Sequence, residues 1–202
     1  MKKLLSIVLV AVMLVVITAV TSYAAITHTV ARGDSLWKIA VKYQVGLNEI
    51  KAANPNIKNY NLIYPGQKII IPTVSSSTTA YESEVVRLVN QKRAEHGLKP
   101  LAQDWQLSRV ARYKSQDMKD LGYFSHTSPT YGSPFDMMKS FGISYRTAGE
   151  NIAKGYSTPE AVVNAWMNSP GHRANILNST YTHIGVGYIS SGNYWTQMFI
   201  SK

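Results

Sequence analysis

The chain contains no cysteine, which excludes a disulfide scaffold, a thiolate metal site and a cysteine nucleophile. Its stability must therefore come from packed apolar cores. Acidic residues are also scarce, 11 Asp and Glu against 21 Lys and Arg, for a formal charge of +10. A basic chain is drawn to polyanions such as anionic wall polymers, acidic lipid headgroups or nucleic acid. Here the basic residues are spread without a dense Lys/Arg run, which argues against nucleic acid, whose footprint is a basic patch or stripe.

Long apolar runs are missing with one exception, Leu4 to Val20, which Lys2 and Lys3 precede and small and polar residues around Ser22-Tyr23-Ala24-Ala25 follow. This layout predicts a secretory signal peptide over 1–25, cleaved after Ala24 or Ala25. The run lies at the lower limit of a membrane span, so an uncleaved anchor is the alternative, and after cleavage no span is left. Loss of Lys2 and Lys3, with no acidic residue before Ala25, takes the charge from +10 to +8.

The remainder suits one small module and one medium domain. Between them, Thr73-Val74-Ser75-Ser76-Ser77-Thr78-Thr79-Ala80 has little to bury. Its composition predicts a flexible linker over 73–80 and two independently moving parts, 26–72 and 81–202.

In the first part, His28 to Val30 reads as a strand, and Arg32-Gly33-Asp34-Ser35 turns it into a helix with Leu36, Trp37, Ile39, Ala40 and Tyr43 at helical spacing. A second helix, Leu47 to Ala53, stops at Asn54-Pro55 because the residue before proline is pushed out of helical geometry. Tyr64-Pro65-Gly66-Gln67 turns into a closing strand, Lys68 to Ile71. The expected order is β-α-α-β. Through Gly33-Asp34-Ser35-Leu36-Trp37, Ile39-Ala40, Asn54-Pro55, Leu62-Ile63-Tyr64-Pro65-Gly66-Gln67 and Ile69-Ile71-Pro72, the segment resembles the LysM family. The resemblance implies binding to N-acetylglucosamine-containing chains, peptidoglycan or chitin, in a shallow groove. Its walls would be Gly33, Asp34, Ser35 and Leu36 on one side and Asn56, Ile57, Leu62 and Ile63 on the other. Backbone amides in such turns can bond acetamido groups while apolar side chains cover the methyl. The structural alternative makes Asp34 or Ser35 a helix cap and Leu36 and Ile63 core.

The second part opens with an amphipathic helix carrying Val85, Val86, Leu88 and Val89, closed near Gly97. Asp104 caps a longer helix, and Ser133-Pro134 and Thr158-Pro159 each announce another by a cap followed by proline. Tyr181 to Ser190 and Asn193 to Ser201 read as a strand pair around a turn. Helices first and strands last predict an α+β domain. The motifs Phe124-Ser125-His126, Ala148-Gly149-Glu150-Asn151-Ile152-Ala153 and Ala165-Trp166-Met167-Asn168-Ser169-Pro170-Gly171-His172-Arg173-Ala174-Asn175-Ile176-Leu177 are similar to the CAP superfamily, also called SCP or pathogenesis-related-1. The resemblance implies a three-layer α-β-α sandwich whose cleft is lined by two histidines, which can hold a divalent metal such as Zn²⁺, and two glutamates. His126, Glu150 and His172 match three of those positions, and the fourth falls at Ser169. A serine there is neither a strong zinc ligand nor a general base.

Taken by residue type alone, two imidazoles and a carboxylate suit an open zinc site with an activated water, and the same groups could equally be hydrogen-bonded and inert. Glu150 is the one candidate for acid–base work. Ser125 lacks a G-x-S-x-G setting. His28, His96 and His183 lack convergent ligands and read as structural, and Trp105, Trp166 and Trp195 read as packing. The expectation is a secreted bacterial wall or spore-envelope protein; the joining of these modules resembles proteins of spore-forming bacteria. Its glycan module would hold a non-catalytic, metal-binding CAP domain at the wall. The rivals are a zinc-dependent hydrolase of peptidoglycan or protein, and lipid or sterol capture.

Overall fold

The computed structural model describes residues 24–202. Most of the expected signal segment lies outside the described residues; its last two, Ala24 and Ala25, open the first strand. That strand, β1 (Ala24–Thr29), pairs antiparallel with β2 (Lys68–Thr73), in register from Ala24↔Thr73 to Thr29↔Lys68. Both are longer than the apolar pattern alone predicts, because ladder pairing carries them through Pro72, which a two-stranded sheet tolerates at its edge. Between them lie α1 (Leu36–Tyr43) and α2 (Leu47–Ala53). Ser35 caps α1 by accepting from the Lys38 amide at 3.2 Å. Asn54, which ends α2, donates to the Ile50 and Ile70 carbonyls at 2.7 Å and accepts from the Ile70 amide at 2.8 Å. One buried side chain thereby clamps the helix to the sheet. Leu36, Ile39, Ile50, Ile57, Ile69 and Ile71 close a core of the module's own.

The stretch 73–80 differs from the flexible linker its composition predicts. β2 runs through Thr73, and α3 (Ser76–Glu95) starts at Ser76, leaving Val74 and Ser75 between. The physical reason is capping: Ser75 Oγ accepts from the Thr78 amide at 3.2 Å, and Thr79 Oγ1 donates to the Ser76 carbonyl at 3.0 Å. Residues that disfavour a helix interior are favoured in its first turn.

After α3 come β3 (Ala102–Gln103), α4 (Trp105–Asp120), α5 (Pro134–Ser140), β4 (Thr147–Lys154), α6 (Pro159–Met167), α7 (Pro170–Ile176), β5 (His183–Ile189) and β6 (Tyr194–Ser201). The expected strand pair is thus part of a four-stranded sheet ordered β3-β5-β6-β4, parallel between β3 and β5 and antiparallel elsewhere. Period-two alternation along β6 sorts two cores. Trp195 and Phe199 face α3 and α6, with Val85, Val89, Val162 and Trp166, while Met198 and Ile200 face α4 and α5, with Leu107, Val110, Met137 and Met138. Three layers, helix on sheet on helix, result.

On β5 the side turned toward α4 is glycine. A Cβ on Gly185 would lie 2.4 Å from the Ser108 nitrogen, and one on Gly187 would lie 2.1 Å from the Arg112 nitrogen. The helix therefore packs backbone against backbone. Arg112 then reaches Glu82 on α3, donating from Nη2 at 2.6 Å and from Nε at 2.8 and 3.0 Å, and Glu82 also accepts from the Tyr188 amide at 3.1 Å. This ion pair ties α3, α4 and β5 together. Among the described residues no helix is long and apolar enough to cross a membrane.

Candidate functional site

The candidate residues of the CAP domain are carried by β4, an edge strand of the sheet, and by the segments on which His126 and His172 stand. His126 stands on the loop after α4, which is laced to that helix. Lys114 Nζ, fully buried, donates to the His126 carbonyl at 2.9 Å and to the Tyr123 hydroxyl at 3.1 Å. Asp117 accepts from Tyr123, Ser128 and Thr130 hydroxyls at 2.5, 2.7 and 2.6 Å. Burial works against the Asp117 charge, but those donors prevail and hold its carboxyl below the usual range. Burial likewise lowers Lys114, against the pull of the Glu150 and Asp117 charges.

Glu150 is set on β4 with its side chain only 1% exposed, while that of His126 is 52% exposed. The two meet at 2.7 Å, Glu150 Oε1 to His126 Nδ1. Burial raises the Glu150 carboxyl above its ordinary value, with the His126 hydrogen bond and the Lys114 charge opposing. Its other oxygen, Oε2, is buried without a hydrogen-bond partner. His172 enters on α7, whose place is fixed by a ladder of amides. Asn151 Nδ2 donates to the His172 carbonyl at 3.1 Å and to Gln197 Oε1 at 3.0 Å; Asn175 Nδ2 donates to Asn151 Oδ1 at 2.8 Å and to the Glu150 carbonyl at 3.2 Å. Burial, and then the nearby His126 charge, lower the His172 imidazole. With Ser169, Phe124, Tyr156, Ile152 and Trp166 it lines a cleft of about 290 Å³.

The structure thus brings His126 and Glu150 into direct contact and places His172 and Ser169 side by side. Ser169 caps α7 without using its hydroxyl, so that group is open to the cleft. Among the described residues no group of three or more His, Asp or Glu side chains gathers to hold a metal ion. Lys114, Asn151 and Asn175 escaped the residue-type reasoning. Lys114 had one signal, its place on the α4 stripe that otherwise carries Leu107, Val110, Ala111 and Met118.

In the first module, Leu36 and Ile57 are core and Ile63 packs on that core half-buried, whereas Gly33, Ser35, Asn56 and Leu62 are exposed. Asp34 turns inward, accepting from the Ala31 amide at 2.8 Å and bonded at 2.9 Å to His28, whose other ring nitrogen meets Tyr43 at 3.0 Å. Those bonds hold the Asp34 carboxyl low, the Ala31 amide first. His28 is therefore part of the turn's frame.

A family model described as the cysteine-rich secretory protein family, CAP, matches residues 86–200, and a LysM domain model matches residues 28–72. The uncharacterized protein YkwD of Bacillus subtilis is 70% identical over 127 residues, which is 63% of this chain and 49% of that protein. The uncharacterized membrane protein YlbC of the same organism is 39% identical over 80% of this chain and 49% of its own length. The chain spans about half the length of these curated relatives. Among solved structures, an extracellular SCP-domain protein from Bacillus anthracis superposes with a TM-score of 0.60 at 37% identity, covering 68% of this chain and 47% of that one. The chain belongs to the CAP, or cysteine-rich secretory protein, family, as a member without cysteine that carries a LysM domain ahead of its CAP domain.

Proposed function

We propose that the LysM domain holds this protein on N-acetylglucosamine-containing peptidoglycan outside the cell, and that the CAP cleft works there as a binding site. The observation that carries the reading is the pairing of two turns on one core. Leu36 and Ile57 lock both turns in place, while Gly33, Ser35, Asn56 and Leu62 stay at the surface. Beside these turns, Trp37 at the start of α1 and Leu62 and Tyr64 in the second loop are 57%, 51% and 59% exposed. Preformed turns offering backbone donors and exposed apolar side chains suit a glycan carrying acetamido groups. The basic charge of the chain favours a wall rich in anionic polymer. Fluorescent protein applied separately to vegetative wall and to spore envelope distinguishes the two addresses.

For the CAP cleft we propose a loosely held divalent cation such as Zn²⁺, on the chemistry of its two imidazoles alone. His126 Nε2 and a ring nitrogen of His172 would bind it, with Glu150 orienting the His126 ring from behind, a carboxylate–histidine arrangement that fixes the tautomer. Two imidazoles fall one protein ligand short of the usual catalytic zinc set. The bound cation would supply positive charge to an anionic or carbonyl ligand in the cleft. A second reading, hydrolysis, is favoured by one feature: Glu150 combines a raised carboxyl with an unpartnered buried oxygen, a state suited to exchanging a proton. Incubation with purified peptidoglycan and Zn²⁺ tests both. The proposal expects protein in the pellet and no release of reducing ends or amines; release that disappears in Glu150→Gln makes the protein an enzyme, and protein left in the supernatant removes the anchor.

A further inference from the structure

The N-terminal turn of α2 carries a carboxylate whose hydrogen-bond partners belong to the other domain. Glu49 is bonded to Arg109 Nε, accepts from Arg109 Nη2 at 2.8 Å, and accepts from the Tyr113 hydroxyl at 2.8 Å. Arg109 and Tyr113 are one turn apart on α4, so they share a face. The guanidinium also lies over the Tyr113 and Phe141 rings, 5.4 and 5.1 Å from their centroids. The side chains of Arg109 and Glu49 are 20% and 23% exposed, well covered for a pair between domains. Close packing accompanies the charge: a Cβ on Gly46, which caps α2, would fall 2.3 Å from Arg109 Nη2. The covalent connection is short as well, with Val74 and Ser75 alone between β2 and α3.

We infer that the N-terminal end of α2 is a docking surface for α4, and that Glu49, Arg109 and Tyr113 latch the LysM and CAP domains into one rigid body. A bidentate arginine–carboxylate pair keeps its geometry where a single surface contact does not. The aromatic rings add cation–π attraction. The two-residue tether makes the encounter intramolecular, so each partner is present at high effective concentration. The groove of the proposed function lies past the other end of α2. That helix has seven residues, about 10 Å at 1.5 Å per residue, so docking leaves Asn56 to Ile63 clear. Only this last step rests on the glycan reading. The consequence is orientation: a glycan strand in the groove would meet the CAP cleft at a set distance and angle.

The test is backbone ¹⁵N relaxation on the full chain, with Glu49→Arg, Arg109→Glu and the double exchange. The native protein should give one rotational correlation time for residues 26–73 and 81–202. Either single variant should make the LysM amides tumble faster than the CAP amides, and the double exchange should bring the two values together again. Two unequal correlation times in the native protein, or single variants that still tumble as one body, overturn the latch. Peptidoglycan sedimentation of the same proteins reads the other claim separately. Native and Glu49→Arg proteins that both stay in solution defeat the glycan reading and leave the latch to the relaxation data.

Discussion

Replacing Arg112 with methionine leaves the Glu82 carboxylate buried without its cation. In the native protein that carboxylate is fully buried and accepts three short contacts from Arg112, whose side chain is 19% exposed, besides the Tyr188 amide. Removing one partner of a buried pair costs about 3–5 kcal/mol. At roughly 2–4 °C per kcal/mol for a chain of this size, Tm should fall by about 6–20 °C. The loss should depend on pH. Burial already raises the Glu82 carboxyl above its ordinary value of 4.5, with Arg112 opposing that rise; without Arg112 it rises further. A carboxyl raised in the folded state binds protons that the unfolded chain has released, so its contribution is fully present below the unfolded value and declines as pH rises through the folded one. The deficit of Arg112→Met should accordingly be largest at pH 7 and shrink toward pH 4.5. Glu82→Gln combined with Arg112→Met removes both charges, keeps an acceptor for Tyr188, and should recover most of the loss. Urea unfolding of the three proteins at pH 7 and pH 5 decides the matter. A loss below about 1 kcal/mol, a deficit equal at both pH values, or a double variant as weak as the single one would refute the reasoning.

The α4–β5 contact predicts that Gly187→Ala, whose Cβ meets helix backbone at 2.1 Å, lowers stability by about 1–3 kcal/mol through overpacking. Gly171→Ala, on α7 with nothing within 4 Å, should be neutral or better, and chemical denaturation compares them. Lys114→Met should free the loop that carries His126. Loss of a charged hydrogen bond is worth about 1.5–3 kcal/mol, so amide exchange at His126 and Thr127 should speed up about tenfold or more, with β6 unchanged; equal protection in both proteins would deny Lys114 this role. His172, lowered by burial and by the His126 charge, should titrate by NMR below 6.5, and its midpoint should rise in His126→Ala. A midpoint indifferent to that change would mean the two rings do not sense each other.

Much of this architecture is legible in short-range chemistry. Asp104, Ser133 and Thr158 cap the helices they announce, each accepting from the amide three residues on. The same cap-then-proline signature stands at Ser169-Pro170 and marks α7, a helix the sequence reading did not draw. β4 is harder. Its TAGENIAK pattern is buried on both faces from Gly149 to Ala153, so no polar alternation declares it a strand, and Gly149 is required because a Cβ there would strike the Tyr181 hydroxyl at 2.4 Å. The Ser/Thr stretch after Thr73 misleads because composition reports a lack of apolar side chains, while a helix already anchored by Val85, Val86 and Val89 needs only a cap to extend backward. His126, Glu150, His172 and Ser169 were recognisable as motif positions. The contacts that hold them join residues far apart in sequence: Lys114 reaches the His126 carbonyl, Asn151 reaches Gln197, and Glu49 reaches Arg109 across the domains. Pairings of that kind leave no local pattern.

The central claim is that the two LysM turns form a glycan site, and the most direct measurement is an NMR titration of the full chain with a soluble N-acetylglucosamine oligomer. The account predicts saturable amide shifts concentrated at Gly33 to Leu36 and at Asn56, Ile57, Leu62 and Ile63, lost in Leu62→Asp. Shifts absent from these turns at saturating oligomer, or confined to the CAP cleft, would contradict it.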